Sequence, residues 1–267
     1  MKKVKNYIAH IGIKLIYWIT DRLHLDLIDL AYRKAGIGNS HSLEASGESL
    51  LINKKIERIL QKQPSVAFDI GANKGEYSSL LLKRFPDLRL YSFEPNPNTF
   101  DLLNKEVDSQ NAKCYNFGFG SEQGTLPLFF DKNNSTSVQA TSDIAILQEI
   151  AKTPAIEQVD IKIVTLDEFC ETEKINHIDF IKIDTEGFEL EVLQGARKLL
   201  NDNRISMIQF EFNEVNIIKR RFLKDFNDLL PNYAFYRVTS KGMVELKKWE
   251  PKQEIFQFQN ILAVLKK

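Results

Sequence analysis

The chain has 267 residues, of which 43% are hydrophobic, so it is long enough for one large globular domain with an appendage. Its 36 basic and 36 acidic residues cancel, which leaves no overall field to attract nucleic acid, and we expect no nucleic-acid partner. Two cysteines, Cys114 and Cys170, are too few for a disulfide framework, so we expect a protein of the reducing cytoplasm.

The first 62 residues are predicted to form an N-terminal helical cap that precedes a domain over residues 63–267. An apolar run from Tyr7 to Ile19 follows three lysines, but His10 and Lys14 interrupt it and it is too short to span a bilayer. The run predicts a helix that packs on the domain or on a second copy of the chain. The alternative is an interfacial helix peripheral to the inner face of the membrane, because lysines and aromatic residues suit an anionic leaflet.

Strands and helices alternate beyond Pro64. Apolar strands are predicted at 66–70, 89–94 and 112–117, with helices at 76–85 and 97–109 between them. Such alternation predicts a parallel sheet with right-handed crossovers. The remaining expected elements are strands at 125–130, 159–164, 178–183, 205–212, 233–238 and 256–264, helices at 143–151, 187–201 and 214–229, and a polar loop at 131–142 that could cover a pocket.

The turn after the first strand is the most informative part of the sequence. VAFDIGANKGEY places Asp69, Gly71 and Gly75 where a strand turns into a helix. The spacing does not match the Gly-x-Gly-x-x-Gly fingerprint of dinucleotide sites, and a carboxylate at the strand end would repel a pyrophosphate. Asp69 could instead attract a cofactor with an ammonium or a sulfonium group. S-adenosylmethionine has both.

A second carboxylate ends the next strand. Glu94 lies about twenty residues beyond the glycine turn, the offset at which an acidic side chain accepts hydrogen bonds from ribose hydroxyls. Taken alone, Asp69 could be a helix N-cap and Glu94 a solvated strand end. Together, at this spacing, they favour nucleoside binding.

Further carboxylates are expected at the ends of two neighbouring strands. Asp184 ends the strand at 178–183, Glu186 follows it, and Glu211 ends the strand at 205–212. Ligands of open α/β sheets bind beyond the carboxyl ends of the strands. A carboxylate of raised pKa there could take the proton of an acceptor hydroxyl. Alternatively, these oxygens together with Asn213 could bind a divalent cation such as magnesium, which would lower the hydroxyl pKa directly.

Six segments resemble the FkbM family of S-adenosylmethionine-dependent methyltransferases. They are VAFDIGANKGEYS from Val66, FEPNP from Phe93, NFGFG from Asn116, NNSTS from Asn133, TLDEF from Thr165 and KIDTEGFELEVLQGA from Lys182. The resemblance implies a class I, Rossmann-like α/β fold with a seven-stranded, mostly parallel sheet whose last strand is antiparallel. It also implies methyl transfer from S-adenosylmethionine to a hydroxyl of a sugar, a glycan or a secondary metabolite.

The site residues expected for such an enzyme fall into two groups. The catalytic candidates are Asp184, Glu186 and Glu211, and the candidates for cofactor binding are Asp69, Gly71, Ala72, Asn73, Gly75, Tyr77, Glu94, Pro95, Asn96, Gly118, Phe119 and Asp184. Two alternatives remain open. A class I methyltransferase could act on nitrogen or another nucleophile, although the sequence after the fourth strand, DTEG, is not the Asn-Pro-Pro-Tyr type. The chain could also be a non-catalytic nucleotide-binding scaffold.

Overall fold

The computed structural model describes residues 2–40, 42–107, 109–136 and 140–266, with side chains from residue 12 onward. The strands are β1 (Val66–Ile70), β2 (Arg89–Phe93), β3 (Ala112–Tyr115), β4 (Gly118–Phe119), β5 (Gly124–Asp131), β6 (Ile156–Val164), β7 (Phe180–Ile183), β8 (Met207–Phe212), β9 (Tyr233–Thr239), β10 (Gly242–Leu246) and β11 (Gln259–Leu265). The helices are α1 (Lys2–Leu23), α2 (Leu27–Lys34), α3 (Leu43–Ser46), α4 (Glu48–Leu50), α5 (Ile56–Leu60), α6 (Glu76–Arg84), α7 (Pro97–Glu106), α8 (Leu166–Thr172), α9 (Glu189–Gln194), α10 (Arg197–Asn201), α11 (Val215–Lys219) and α12 (Leu223–Leu229). Single π-helical turns lie at Leu51–Lys55 and Ile146–Ile150, and a 3₁₀ turn lies at Pro251–Gln253.

The main sheet has the order β10-β9-β11-β8-β7-β1-β2-β3. Strand β1 lies between β7 and β2 and is parallel to both, and all five of its residues are buried, as is typical of a parallel strand covered on both faces. The last strand, β11, runs antiparallel between β8 and β9, as expected. The fold class is therefore confirmed, but the expected count of seven strands is wrong. An eighth strand, β10, extends the edge as a hairpin with β9.

A smaller sheet covers one side of the strand ends. Its order is β4-β6-β5, with β4 parallel and β5 antiparallel to β6. Leu128, Ile161 and Ile163 form its apolar inner face. At the end of the polar loop, Thr141 and Phe129 of β5 each donate a backbone amide hydrogen bond to the carbonyl of the other. These two bonds hold the end of the loop against the small sheet.

Two predicted helices are interrupted in the structure. The helix expected at 187–201 is divided into α9 and α10, because a side chain at Gly195 would meet the carbonyl oxygen of Gly120 at 2.1 Å. This close approach fixes the break. The helix expected at 214–229 is divided into α11 and α12 at Arg220, whose φ of +50° no helix interior adopts.

The inner part of the N-terminal segment shares a core with the sheet. Leu51, Ile52 and Ile56 are buried in the same apolar cluster as Tyr77 and Phe180. The domain boundary at residue 62 stays a prediction. Helices α3 to α5 lie before this boundary but pack directly on the domain that follows it.

The outer part of the segment is far more exposed. Helix α2 buries no residue, and Tyr17 and Trp18 of α1 are 56% and 61% exposed. In the described part of the chain, no helix is long and apolar enough to cross a membrane. Contact with a membrane surface or with a second copy through α1, and the cytoplasmic location, stay predictions.

We expect two truncations of this segment to behave differently. Removal of residues 1–34 should leave the melting temperature and cofactor affinity nearly unchanged. Removal of residues 1–40 should destabilise the protein by about 2 kcal/mol, or roughly 5 °C, because Ile37 is buried and the amide of Gly38 donates to the carbonyl of Phe258 at 2.8 Å. Calorimetry of both proteins provides the measurement. Equal melting temperatures would show that residues 35–40 do not stabilise the body.

Candidate active site

The turn after β1 requires glycine. Gly71 has a φ of +77°, and a methyl group there would lie 1.7 Å from the carbonyl oxygen of Asp184. The amides of Gly71 and Ala72 both donate to the carbonyl of Phe93 at 2.9 Å, which ties the turn to the end of β2. Gly75, with a φ of +91°, begins helix α6. The backbone of the turn is thereby held close to the neighbouring strand ends.

Glu94 is held by backbone amides on both sides. Its Oε2 accepts from the amide of Asn73 at 3.0 Å, and its Oε1 accepts from the amide of Asn96 at 2.8 Å. Burial raises the pKa of Glu94 to about 7, although the two amides act in the opposite direction. A carboxylate has about four acceptor positions, so this fixed group keeps lone pairs for two further donors.

A first cavity lies beyond the ends of β1, β2 and β7. Its empty volume is about 820 Å³, counting the open mouth, which suits a nucleoside-sized ligand. The small sheet supplies an apolar wall through Leu126, Leu128, Ile161 and Ile163. Seven predicted cofactor residues line this cavity: Gly71, Asn73, Glu94, Pro95, Gly118, Phe119 and Asp184.

A second cavity adjoins the first and shares Gly71, Asn73 and Asp184 with it. Its lining also includes the predicted residues Ala72, Tyr77 and Glu211, and it brings in the N-terminal segment through Ser40, Ser42, Leu43 and Glu48. The two cavities therefore meet at the glycine turn and at the end of β7. A ligand could extend from one into the other at this point.

Three predicted cofactor residues, Asp69, Gly75 and Asn96, are absent from the linings of both cavities. Asn96 begins helix α7, and its Nδ2 donates to the carbonyl of Ser135 at 2.8 Å, which holds the polar loop. Asp69 is fully buried behind the turn, where its Oδ2 accepts from Ser78 Oγ at 2.6 Å. These residues support the site from behind, and their contact with a cofactor stays a prediction.

Lys182 is a buried cation at the centre of the strand ends. Its Nζ lies 2.9 Å from Asp184 Oδ2, 3.9 Å from Asp69 Oδ1 and 5.0 Å from the centre of the Tyr77 ring. Burial lowers the pKa of Lys182, but the carboxylates of Asp184, Asp69 and Glu48 outweigh that effect and hold it above its ordinary value. The ammonium group thus stays charged and fixes the position of Asp184.

The predicted catalytic carboxylates are brought together around Asp184. Burial raises the pKa of Glu186, and the nearby Asp184 and Glu189 add to that shift. Burial likewise raises the pKa of Glu211 well above its ordinary value, with Asp184 and Glu186 contributing. Asp184 and Glu186 line the first cavity, while Asp184 and Glu211 line the second. A carboxyl group with a raised pKa therefore lines each cavity, and the Asp184 carboxylate lines both.

Glu189 has a structural role in this group of carboxyl side chains. Its Oε1 accepts from the amides of Thr185 at 2.9 Å and Gly187 at 3.2 Å, and from the hydroxyl of Thr185 at 3.1 Å. The carboxylate therefore holds the turn that carries Glu186. The hydroxyl of Thr141 donates to the carbonyl of Glu186 at 3.0 Å and joins the same turn to the end of the polar loop.

A buried polar network behind the second cavity escapes the sequence analysis. Gln209 donates through Nε2 to Glu48 Oε1 at 2.8 Å and accepts from the Tyr77 hydroxyl at 2.6 Å. Lys182 is the single polar residue of β7, and Gln209 interrupts the apolar start of β8, which is a signal that could have marked both. Nothing in the sequence around Glu48 indicates its partner.

The alternative with a divalent cation has no dedicated ligand set among the described side chains, those of residues 12–40, 42–107, 109–136 and 140–266. No three side chains of His, Cys, Asp or Glu in these ranges are grouped to hold an ion. Asn213 lies near Glu211, with its Nδ2 at 3.4 Å from Glu211 Oε2. A cation bound jointly by protein and substrate oxygens remains a hypothesis.

The sheet order, the glycine turn and the carboxylate that ends β2 define a class I methyltransferase fold. The family model described as the methyltransferase FkbM domain matches residues 69–238, and the chain belongs to this family. The predicted family is thereby confirmed.

Several curated methyltransferases are similar to the chain. Methyltransferase sdnD of Sordaria araneosa is 30% identical over 152 residues, which cover 48% of this chain and 59% of that protein. The hexuronic acid methyltransferase AglP of Haloferax volcanii is 24% identical, with 61% and 62% covered, and the 2-O-methyltransferase NoeI of Sinorhizobium fredii is 22% identical, with 73% and 83% covered. The chain thus spans about three fifths of the first two of these relatives. Among solved structures, the plantazolicin methyltransferase BpumL in complex with SAH has 13% identity and a TM-score of 0.44, with 83% of each chain covered.

Proposed function

We propose that the chain is an S-adenosylmethionine-dependent O-methyltransferase that acts on a hydroxyl of a sugar, a glycan or a secondary metabolite. The observation that carries the proposal is the arrangement of Glu94. Its carboxylate is fixed by two amides in a nucleoside-sized cavity, and that cavity meets a second one at a group of carboxyl side chains. Two relatives whose names specify hexuronic acid and 2-O methylation support an oxygen acceptor.

The residues of the first cavity fit an adenosine group. Glu94 would accept hydrogen bonds from the ribose hydroxyls, while Pro95, Gly118 and Phe119 would border the adenine on the side of the small sheet. Gly71 would let the backbone approach the ligand closely. S-adenosylmethionine supplies an electrophilic methyl group when it is bound. The acidic strand ends around Asp184 suit its positive charge.

The chain must also position the acceptor oxygen and remove its proton. Glu186 and Glu211 have pKa values raised by burial and by neighbouring carboxylates, so either could accept a proton from a hydroxyl as charge develops. Lys182 holds Asp184 in place by a contact of 2.9 Å. A nitrogen acceptor is the second candidate, and the sequence DTEG after β7 does not favour it.

The affinity for S-adenosylhomocysteine should depend on pH through Glu94. In the folded protein without a ligand, the pKa of Glu94 is about 7, and the hydrogen-bond donors of a ribose favour its ionised form. The affinity for S-adenosylhomocysteine should therefore be about tenfold weaker at pH 6 than at pH 8. The same proton makes the unfolding free energy depend on pH. The folded state binds this proton more tightly, so the contribution of Glu94 to unfolding free energy falls as pH rises from its ordinary pKa of 4.5 to about 7.

Calorimetric titration at the two pH values provides the measurement, and Glu94→Gln is the matched control. This variant should bind weakly and show little change between pH 6 and pH 8. A wild-type affinity that does not change with pH would contradict the role of Glu94. Tighter binding of NAD than of S-adenosylhomocysteine would overturn the cofactor assignment itself.

A further inference from the structure

We propose that the second cavity is the acceptor site and that it selects an uncharged, polyhydroxylated acceptor over one that carries a carboxylate. The inference rests on the proposed function and adds the chemical class of the acceptor.

The position of the cavity places it beside the reacting end of the cofactor. The first cavity holds the fixed carboxylate of Glu94, and the second begins where both are lined by Gly71, Asn73 and Asp184. A nucleoside bound at Glu94 would therefore direct its other end toward this junction. An acceptor in the second cavity would meet the methyl group at this junction, and displacement requires that its oxygen be aligned behind the methyl carbon.

The walls of the cavity come from distant parts of the chain. Ser42 and Leu43 form one side, Phe258 forms another, and Glu48 closes the base, where it is only 6% exposed. None of these residues belongs to the stretch 69–238 that matches the family domain. Hydroxyl and carboxyl groups beside apolar and aromatic surface suit a sugar-like ligand, which presents both hydroxyls and C–H faces.

The charged groups of the cavity disfavour an anionic acceptor. Glu48, Asp184 and Glu211 line it. Of its two described cations, Lys182 is buried and already paired with Asp184 at 2.9 Å, and Lys74 lies exposed at the rim. An acceptor carboxylate would thus lose its water beside acidic groups. Among the described lining residues, no buried cation is free to pair with it, so its binding would be costly. A neutral polyol avoids this cost.

The test compares matched acceptors that differ in one charge. Methyl glycosides and short oligosaccharides of glucose, galactose and mannose would be assayed beside the corresponding uronates, with release of S-adenosylhomocysteine as the readout. We expect turnover of at least one neutral member, with kcat/KM at least tenfold above that of its uronate counterpart.

A variant connects this preference to the cavity. Glu48→Gln keeps the shape of the side chain and removes an acidic group, so the ratio of neutral to uronate kcat/KM should fall several-fold. Glu44→Gln changes an exposed glutamate on the same segment and should leave the ratio unchanged. Thermal unfolding of both variants establishes that they are folded.

If the Glu48→Gln variant does not fold, a second measurement tests the acidic cavity without depending on turnover. Ser42→Cys, made in a Cys114→Ser background, should react at least tenfold faster with a cationic than with an anionic methanethiosulfonate reagent. The control is Ser49→Cys in the same background, which should show a smaller ratio. An equal or reversed ratio at position 42 would contradict an acidic cavity.

The outcomes separate the two proposals. The inference about the acceptor is overturned if a uronate is turned over as well as its neutral counterpart. It is also overturned if the protein binds S-adenosylhomocysteine but has no neutral substrate. Both results leave the cofactor assignment standing. Failure to bind S-adenosylhomocysteine overturns the proposed function instead.

Discussion

Replacement of Asp184 by asparagine is expected to reduce methyl transfer more than any other conservative change at the strand ends. Asp184 lines both cavities and accepts from the buried ammonium of Lys182. Its neutralisation leaves that cation with a single carboxylate at 3.9 Å, Asp69. If a carboxylate is the general base, Glu186→Gln or Glu211→Gln should lower kcat by about 10²-fold with cofactor affinity nearly unchanged, because only proton acceptance is lost.

Two controls separate chemistry from folding and from metal dependence. Asp184→Asn alone should destabilise the protein by about 3 kcal/mol, whereas the pair Lys182→Met and Asp184→Asn should regain most stability but no turnover. If a carboxylate is the base, a chelator leaves kcat unchanged. If a divalent cation activates the hydroxyl, a chelator abolishes activity and magnesium restores it. Full activity in a variant with all three carboxylates neutralised would show that the acceptor site lies elsewhere.

Substitution of Gly71 by alanine is expected to abolish cofactor binding. The added methyl group would lie 1.7 Å from the carbonyl oxygen of Asp184, and the φ of +77° disfavours any side chain. Relief of this overlap must separate the turn from the end of β7 at the junction of the two cavities. We expect a loss of more than 100-fold in affinity for S-adenosylhomocysteine and a loss of about 3 kcal/mol or more in stability.

The matched control is Gly124→Ala. This glycine begins β5, lacks a positive φ and has no atom within 4 Å of an added methyl group among the described residues. Its affinity and melting temperature should equal those of the wild type. Calorimetry and thermal unfolding give both quantities. A Gly71→Ala protein with wild-type affinity would show that the turn does not form the cofactor site.

The first cavity around Gly71 and Glu94 is predictable from sequence because its signals are local. Apolar runs mark β1 and β2, Gly71 marks the turn, and Glu94 follows the second run directly. Each feature depends on a few neighbouring residues, so the structure brings Gly71 and Glu94 into one cavity as the pattern indicates. The family resemblance rests on these same segments.

The features that the sequence analysis misses depend on contacts between distant residues. Gln209 and Glu48 are 161 residues apart, and no periodicity connects them. The break at Gly195 arises from its contact with Gly120. The edge strand β10 is short, and its Val244 is 47% exposed, so it lacks the buried apolar pattern by which the other strands are predicted.

The attachment of the N-terminal segment has a consequence for the order in which the molecule is completed during synthesis. Methyl groups at Gly36 and Gly47 would each lie 2.4 Å from atoms of Thr239, and the amide of Gly38 donates to Phe258. Gly36, Gly38 and Gly47 therefore need residues that are made much later as their docking surface. A chain still on the ribosome can pair β1 with β2 and form the glycine turn well before Phe258 emerges. The wall that contains Ser42 and Glu48 is closed only afterwards, so a nascent chain forms the cavity around Glu94 first and completes the second cavity last.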